Sequence, residues 1–490
     1  MSTDNDNKST ALAVEGGGVD TIAESDRKGK PSSLFWPWFA SNSGVMALSY
    51  GAWGLGFGIS FWQATIMSIV GVVVSFLLVG IISIAGKRAN APTMVISRAQ
   101  FGIEGAKIPA ALSWIATLGW EISLATTAVL AMSSTLEKLG AGTGAVPKII
   151  SAVVVIGLVV VAGIYGYDLI MKCQQVITIV AIVMTVGYFI LGWGYIDFDA
   201  ISSAPDGSLP AMLGCCFFVM TGFGLGWVNI AADYSRYLPR DASNAGIVFW
   251  STFGASIANI FLITYGGLIA ISDAELAENV GNDPIGAMAS VLPTWYLVPF
   301  TIVSVMGLMS AAIMDNYSNG LALLSFGIKL PRTVAAALTA VLTVIGVVYV
   351  TFFSDTFIGP FQGFLTTLGV PMAVWAGMFI VDVLLRKRVY DAEALYDAKG
   401  IYGAWNVKAL AILAVGTFVG WGLVVNTAAS WLTWQGYLLG PLGGKEGNWA
   451  SANLGVIVAL AIGLIGAFVL QRADIKRQEL AMDAGAGKER

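Results

Sequence analysis

Histidine is missing altogether from the 490 residues, and charge is scarce: Asp, Glu, Lys and Arg together make up 11%, against roughly 25% in soluble domains. Without histidine there is no Ser-His or Cys-His nucleophile pair, no imidazole proton relay and no His-based metal site. Cysteine is as sparse, with only Cys173, Cys215 and Cys216. The adjacent Cys215 and Cys216 have no third or fourth ligand near them in sequence, so they read as buried apolar thiols rather than a metal pair. No nucleotide-binding loop is present, which excludes ATP-driven pumping by this chain. No Arg-rich span suggests a voltage sensor, and no TVGYG-like loop suggests a potassium filter. The basic residues form no patch with interleaved aromatics, so nucleic acid is not expected as a partner. Neither a cofactor nor a resident metal is expected.

What fills the chain is apolar surface: 57% of residues are hydrophobic and mean hydropathy is +0.77. The apolar stretches are long enough to cross a ~30 Å hydrocarbon core. Hydropathy predicts twelve spans, at about 38–60, 62–85, 107–134, 147–165, 168–192, 210–232, 245–271, 286–327, 332–352, 355–384, 408–428 and 451–471. The eighth is too long for one straight helix, so its first part is expected as an outer or interfacial piece; segment 429–441 is too short to cross and reads as interfacial. With both termini inside, this count places all but Lys138, Lys148 and Lys445 of the 26 Lys and Arg residues on the cytoplasmic side. A miscounted span would invert every later loop and destroy that asymmetry.

The expected layout is therefore a disordered cytoplasmic N-tail at 1–37, a ten-helix transport core at 38–384, a cytoplasmic loop at 385–407, two further helices at 408–471 and a cytoplasmic C-tail at 472–490. The end of that tail, MDAGAGKER, reads as structureless like the polar N-terminus. The N-tail lacks the short apolar core of a cleavable signal, so the first span is expected to remain as an anchor. A plasma (inner) membrane location follows, with lipid as one partner and a small molecule as the other.

Two carboxylates lie deep within apolar runs: Glu121 in span three and Asp315 in span eight. Each costs at least ~2.5–3.5 kcal/mol near a helix centre, so each needs a role or a partner. Spans one and six are rich in glycine, with Gly51, Gly54, Gly56 and Gly58 in the first and Gly214, Gly222, Gly224 and Gly226 in the sixth. These are equivalent positions in two five-helix halves, about 38–192 and 210–384. Glycines there suit either broken helices at an inverted-repeat binding site or close helix packing. A polytopic chain of this kind reads as a secondary transporter. An intramembrane enzyme is the rival class, and the lack of paired catalytic motifs counts against it.

The stretch GWVNIAADYSRYLPR, ending at Arg240, resembles the purine–cytosine permease branch of the nucleobase–cation symporter-1 family. Matching segments are Asn42 with the following glycine run, RAQFGIEGAKIP at 98–109, LGWEISLATTA at 118–128 and DNYSNGLALLSFG at 315–327. The resemblance implies an all-α LeuT-type fold, a 5+5 inverted repeat with helices one and six broken, plus two extra helices. It implies a symporter that holds a planar ring between aromatics of spans three and six. Carried over by motif, Trp120 is the first aromatic, and Trp227 or Phe223 the second; offset stacking suits a rigid flat ring. Glu121, Asp315, Ser49 and Gly224 are the remaining expected substrate-site positions.

The departures narrow the chemistry. Where relatives often place an amide four residues after the span-three aromatic, this chain has Leu124, and Glu121 stands beside Trp120, about 100° round the helix. Asp315 occupies a position where relatives can carry an Asn facing the substrate. A carboxylate can hold an amidine-like edge bidentately, so cytosine and purines fit, as do cationic amine or guanidinium-like solutes, hydantoins and vitamin precursors. For the coupling ion, the resemblance implies hydroxyls on span eight as sodium ligands, and the chain offers Ser310 followed by Ala311. One hydroxyl leaves a residual cation site, whereas Glu121 and Asp315 are available proton carriers. Proton coupling is expected ahead of sodium.

Overall fold

The computed structural model describes residues 27–165, 167–325 and 332–486, and every regular element among them is helical. The N-tail before residue 27, Lys329 and residues 487–490 lie outside the described residues, as do the side chains of Cys173, Asn316, Tyr317 and Ser318. Span one is two pieces, α1 (Phe35–Asn42) and α2 (Met46–Leu55). The long helices α3 (Phe61–Ala89), α4 (Lys107–Lys138), α5 (Ala145–Tyr165) and α6 (Tyr167–Gly192) follow. Span six is again divided, into α7 (Leu209–Gly222) and the short α8 (Gly224–Trp227). After α9 (Asn244–Ser272), the long eighth run separates into a short helix α10 (Pro284–Met288) and α11 (Thr294–Ser325). The chain ends with α12 (Arg332–Phe353), α13 (Ile358–Leu385), α14 (Val407–Gly422), α15 (Gly455–Leu470) and α16 (Arg472–Ala486).

Among the described residues, seven helices are long and apolar enough to cross a membrane, or eight if α15 and α16, bent by 52° at their junction, count as one span. Outward faces carry bare aliphatic side chains, such as Val73 and Leu77 on α3 and Ile179, Val183 and Ile190 on α6. Hydrophobic surface exposed on this scale is costly in water and matched to lipid. Two differences from the sequence reading stand out. Residues 31–37 of the tail expected as disordered are helical, as a 3-10 turn at Pro31–Leu34 and the start of α1. The C-terminal stretch expected as structureless from residue 482 is instead helical as far as Ala486, because α16 has partners to dock on.

The breaks decide between the two readings of the glycines, and each span gives a different answer. In span one the helix stops at Ser43–Val45, ahead of the glycine run. Gly51 sits inside α2, where an added Cβ would collide with the Ile263 carbonyl and Gly267 amide of α9; it serves close packing. In span six the break falls at Phe223 (φ −117°, ψ −107°), between Gly222 and Gly224. There a Cβ on Gly224 would strike the Ser75 backbone of α3, and the Gly224 N–H donates to Ser75 Oγ at 3.1 Å.

Two helix groupings frame the centre. α9 packs along α3 and α2, while α4 lies along α11 as its most extensive neighbour. The second pair runs antiparallel in fixed register. Thr117 Oγ1 donates to Asn319 Oδ1 at 2.9 Å, and Thr135 and Thr301 share a hydroxyl–hydroxyl bond at 2.7 Å. Each forward step along α4 between these rungs is matched by an equal step back along α11. Four residues on from Thr117 is Glu121; four residues back from Asn319 is Asp315. The register therefore sets the two buried carboxylates opposite one another.

Candidate substrate site

A cavity of about 90 Å³ lies where the two broken spans meet α4 and α11, several times the space one water needs. Its wall includes the break of span one (Asn42 to Ala47), the break of span six (Gly222 and Phe223), and Trp120, Trp227, Ser310 and Asp315. Five sequence-assigned residues, Trp120, Trp227, Phe223, Asp315 and Ser310, thus share one cavity. Leu124, the departure from the family pattern, lines it too.

Each ring is held by neighbours. The Trp120 indole is gripped edge-on by Phe361 and Phe364, with centroids 5.5 and 5.9 Å away. Its Nε1 lies so close to Gly226 that an added Cβ there would approach to 2.8 Å. Trp227 meets the fully buried Trp38 edge-to-face at 6.0 Å. Phe223 leans on the Tyr50 ring at 4.5 Å. Such pre-set aromatic walls bind flat rings with little loss of side-chain freedom.

Asp315 is 4% exposed and faces the cavity, whereas Glu121 is fully buried and does not line it. Glu121 is Asp315's electrostatic neighbour, in agreement with the register of α4 and α11. The Ser310 hydroxyl is buried without a hydrogen-bond partner among the described residues.

Besides Glu121, two assigned positions, Ser49 and Gly224, lie elsewhere. The Ser49 hydroxyl donates to the Pro284 carbonyl at 2.7 Å, fastening α2 to the short helix α10. That helix is itself capped by Asp283, which accepts from the Gly286 N–H at 2.8 Å and from the Ser134 hydroxyl. Gly224 contacts α3, as described above, rather than the cavity. Conversely, Tyr50 lines the cavity and was not singled out from sequence. Its signal was present: a polar-tipped ring within the glycine run, deep inside a span.

Interrupted apolar helices meeting at an aromatic-walled cavity are those of a membrane transporter with a LeuT-like fold. The chain belongs to the family of permeases for cytosine/purines, uracil, thiamine and allantoin, matched over residues 21–440. It is 25% identical over 480 residues to YxlA of Bacillus subtilis (strain 168), whose name assigns it to the purine-cytosine permeases; the alignment covers 95% of this chain and 98% of that one. The purine-cytosine permease FCY2 of Saccharomyces cerevisiae is 24% identical, covering 91% of this chain and 85% of its own. Among solved structures, Mhp1, a nucleobase-cation-symport-1 family transporter in a closed conformation with bromovinylhydantoin bound, superposes with a TM-score of 0.68. That match covers 97% of each chain at 19% identity, and shows the shared fold.

Proposed function

We propose that the protein is a proton-coupled symporter that imports a small planar heterocycle, a nucleobase such as cytosine or a purine, by alternating access. The observation that carries the reading is a single cavity walled by Trp120 and Trp227 and floored by the buried Asp315. The indoles take the faces of a flat ring, and Asp315 accepts from an amidine-like N–H edge. Glu121, behind Asp315, makes a pair of like charges in a medium that tolerates neither, so one proton held between them is the least costly occupant. Substrate and proton thus meet at adjacent carboxylates, with Asp315 gripping the ring and Glu121 keeping the proton.

The twelve-span layout with both termini cytoplasmic, and the halves 38–192 and 210–384 as inverted repeats, are part of this reading. Spans one, two, six and seven would rock against the rest, opening the cavity to each side in turn. A plasma-membrane location accompanies it.

Purified protein in liposomes, given labelled cytosine or hypoxanthine and an inward proton gradient with sodium replaced by choline, tests the proposal. Accumulation that collapses with the gradient, and is lost in Asp315→Asn, is the expected outcome. A second reading has one observation behind it: the unpartnered Ser310 hydroxyl on the cavity wall could serve a sodium ion. Uptake that requires sodium at fixed pH would favour it and reject proton coupling. Uptake unaffected by excess nucleobase would move the substrate to the amine, hydantoin or vitamin-precursor class.

A further inference from the structure

The Tyr50 hydroxyl is a feature of the cavity region that the proposed function leaves idle. The residue is 2% exposed, and its Oη is buried without a hydrogen-bond partner among the described residues. A buried hydroxyl left so costs roughly 1–3 kcal/mol, so its retention in a wall otherwise apolar at that point needs a reason. The ring is packed among other aromatics. It stacks on Phe218 at 5.4 Å, abuts Phe223 at 4.5 Å and meets Trp53 at 4.9 Å. The hydroxyl itself rests against Gly222, occupying the space a Cβ there would need. It lies at the break of span six, beside the cavity that the Tyr50 side chain lines and that Asp315 enters from α11.

We propose that the Tyr50 hydroxyl donates to a ring carbonyl of the substrate, so that the site reads two edges of one heterocycle. This deepens the proposed function and rests on it. Asp315, which when ionised can only accept, claims the N–H edge. A neutral phenol adds a donor elsewhere on the wall, and the complementary ligand carries a carbonyl as well as its amidine edge. The substrate class narrows from any flat nitrogen ring to amino-lactams, the aminopyrimidinones and aminopurinones.

Matched ligand pairs test it on the full-length purified protein. Cytosine and 4-aminopyrimidine share the N3–amino edge and differ by the C2 carbonyl with its N1–H. Guanine and 2-aminopurine share the N3–amino edge and differ by the C6 carbonyl with its N1–H, so each ligand is compared with itself in parent and variant. In Tyr50→Phe, affinity for the carbonyl member should fall about 5- to 20-fold, the effect of one neutral hydrogen bond. Affinity for the partner lacking it should stay within about twofold. The unliganded variant should melt at or above the parent's temperature, because removing an unsatisfied buried hydroxyl relieves a cost rather than breaking a bond. Equal loss for both members of a pair, no loss for either, or a lower unliganded melting temperature overturns the assignment and leaves the proposed function standing. Failure of the parent protein to bind any of the four overturns both.

Discussion

Asp315 and Glu121 are chemically alike and placed differently, and their substitutions should separate accordingly. Asp315 reaches the cavity, so Asp315→Asn should abolish binding of amidine-edged ligands, while removing a buried carboxylate raises thermal stability in detergent by about 1–3 kcal/mol. Glu121 stands behind it. Glu121→Gln should keep ligand affinity within a few-fold and keep counterflow exchange, yet lose accumulation driven by a proton gradient; retained accumulation would assign the proton elsewhere. A third substitution probes the indole. Gly226→Ala brings a methyl to 2.8 Å from Trp120 Nε1, and the displaced ring should weaken heterocycle binding about tenfold, the scale of one stacked pair. Most of these residues were legible in the sequence because a membrane makes polar and wide aromatic side chains conspicuous. Tyr50 was not, since a tyrosine's ring hides its hydroxyl among ordinary core aromatics. Ser49 misled for the opposite reason: a hydroxyl near a helix break resembles a ligand group until its acceptor, the Pro284 carbonyl, is seen.

At the level of elements, glycine-rich runs marked the two spans that break but not the place in span one. Glycine answers two demands, freedom of the backbone and thinness of the helix, and composition does not distinguish them. Gly51 answers the second. Gly51→Ala should press α2 off α9 at the Ile263 carbonyl, costing about 1–3 kcal/mol as overpacking does, and reducing transport through a displaced break. A melting curve unchanged from the parent would refute that packing role. Span six repeats the lesson in reverse, because Gly222 and Gly224 flank the break and also make room for Tyr50 and α3. The split of the eighth run, by contrast, was readable from length alone, since 42 residues at 1.5 Å rise exceed any single crossing.

Across the whole molecule, the C-terminal helix binds together segments far apart in sequence. Arg386, just past α13, donates to Asp382 Oδ1 at 2.7 Å and to Gln478 Oε1 at 2.8 Å, and Tyr390 donates to the same Asp382 at 2.5 Å. Gln478 in turn donates to the Ala99 carbonyl at 2.9 Å, in the connection between α3 and α4. Nothing in the sequence pattern announced this knot, because its members are individually ordinary polar residues near loops. Arg386→Leu strands Asp382 in a buried setting, and the expected loss is about 3–5 kcal/mol, read as a lowered unfolding temperature of the detergent-solubilised protein. Asp382→Asn with Arg386→Leu should recover much of it.

The rungs between α4 and α11 have a mechanical consequence. Thr117–Asn319 on one side of the carboxylate pair and Thr135–Thr301 on the other act as two bolts through one beam. Sliding either helix by a turn would break both rungs and leave Thr117 and Thr135 the carbonyls of Ser113 and Ala131 in their own helix to bond. On the proposed alternating-access cycle, Glu121 and Asp315 then keep their spacing. Whatever changes the grip on the cargo has to approach this fixed beam from the opposite jaw, where the interrupted helices are free to bend.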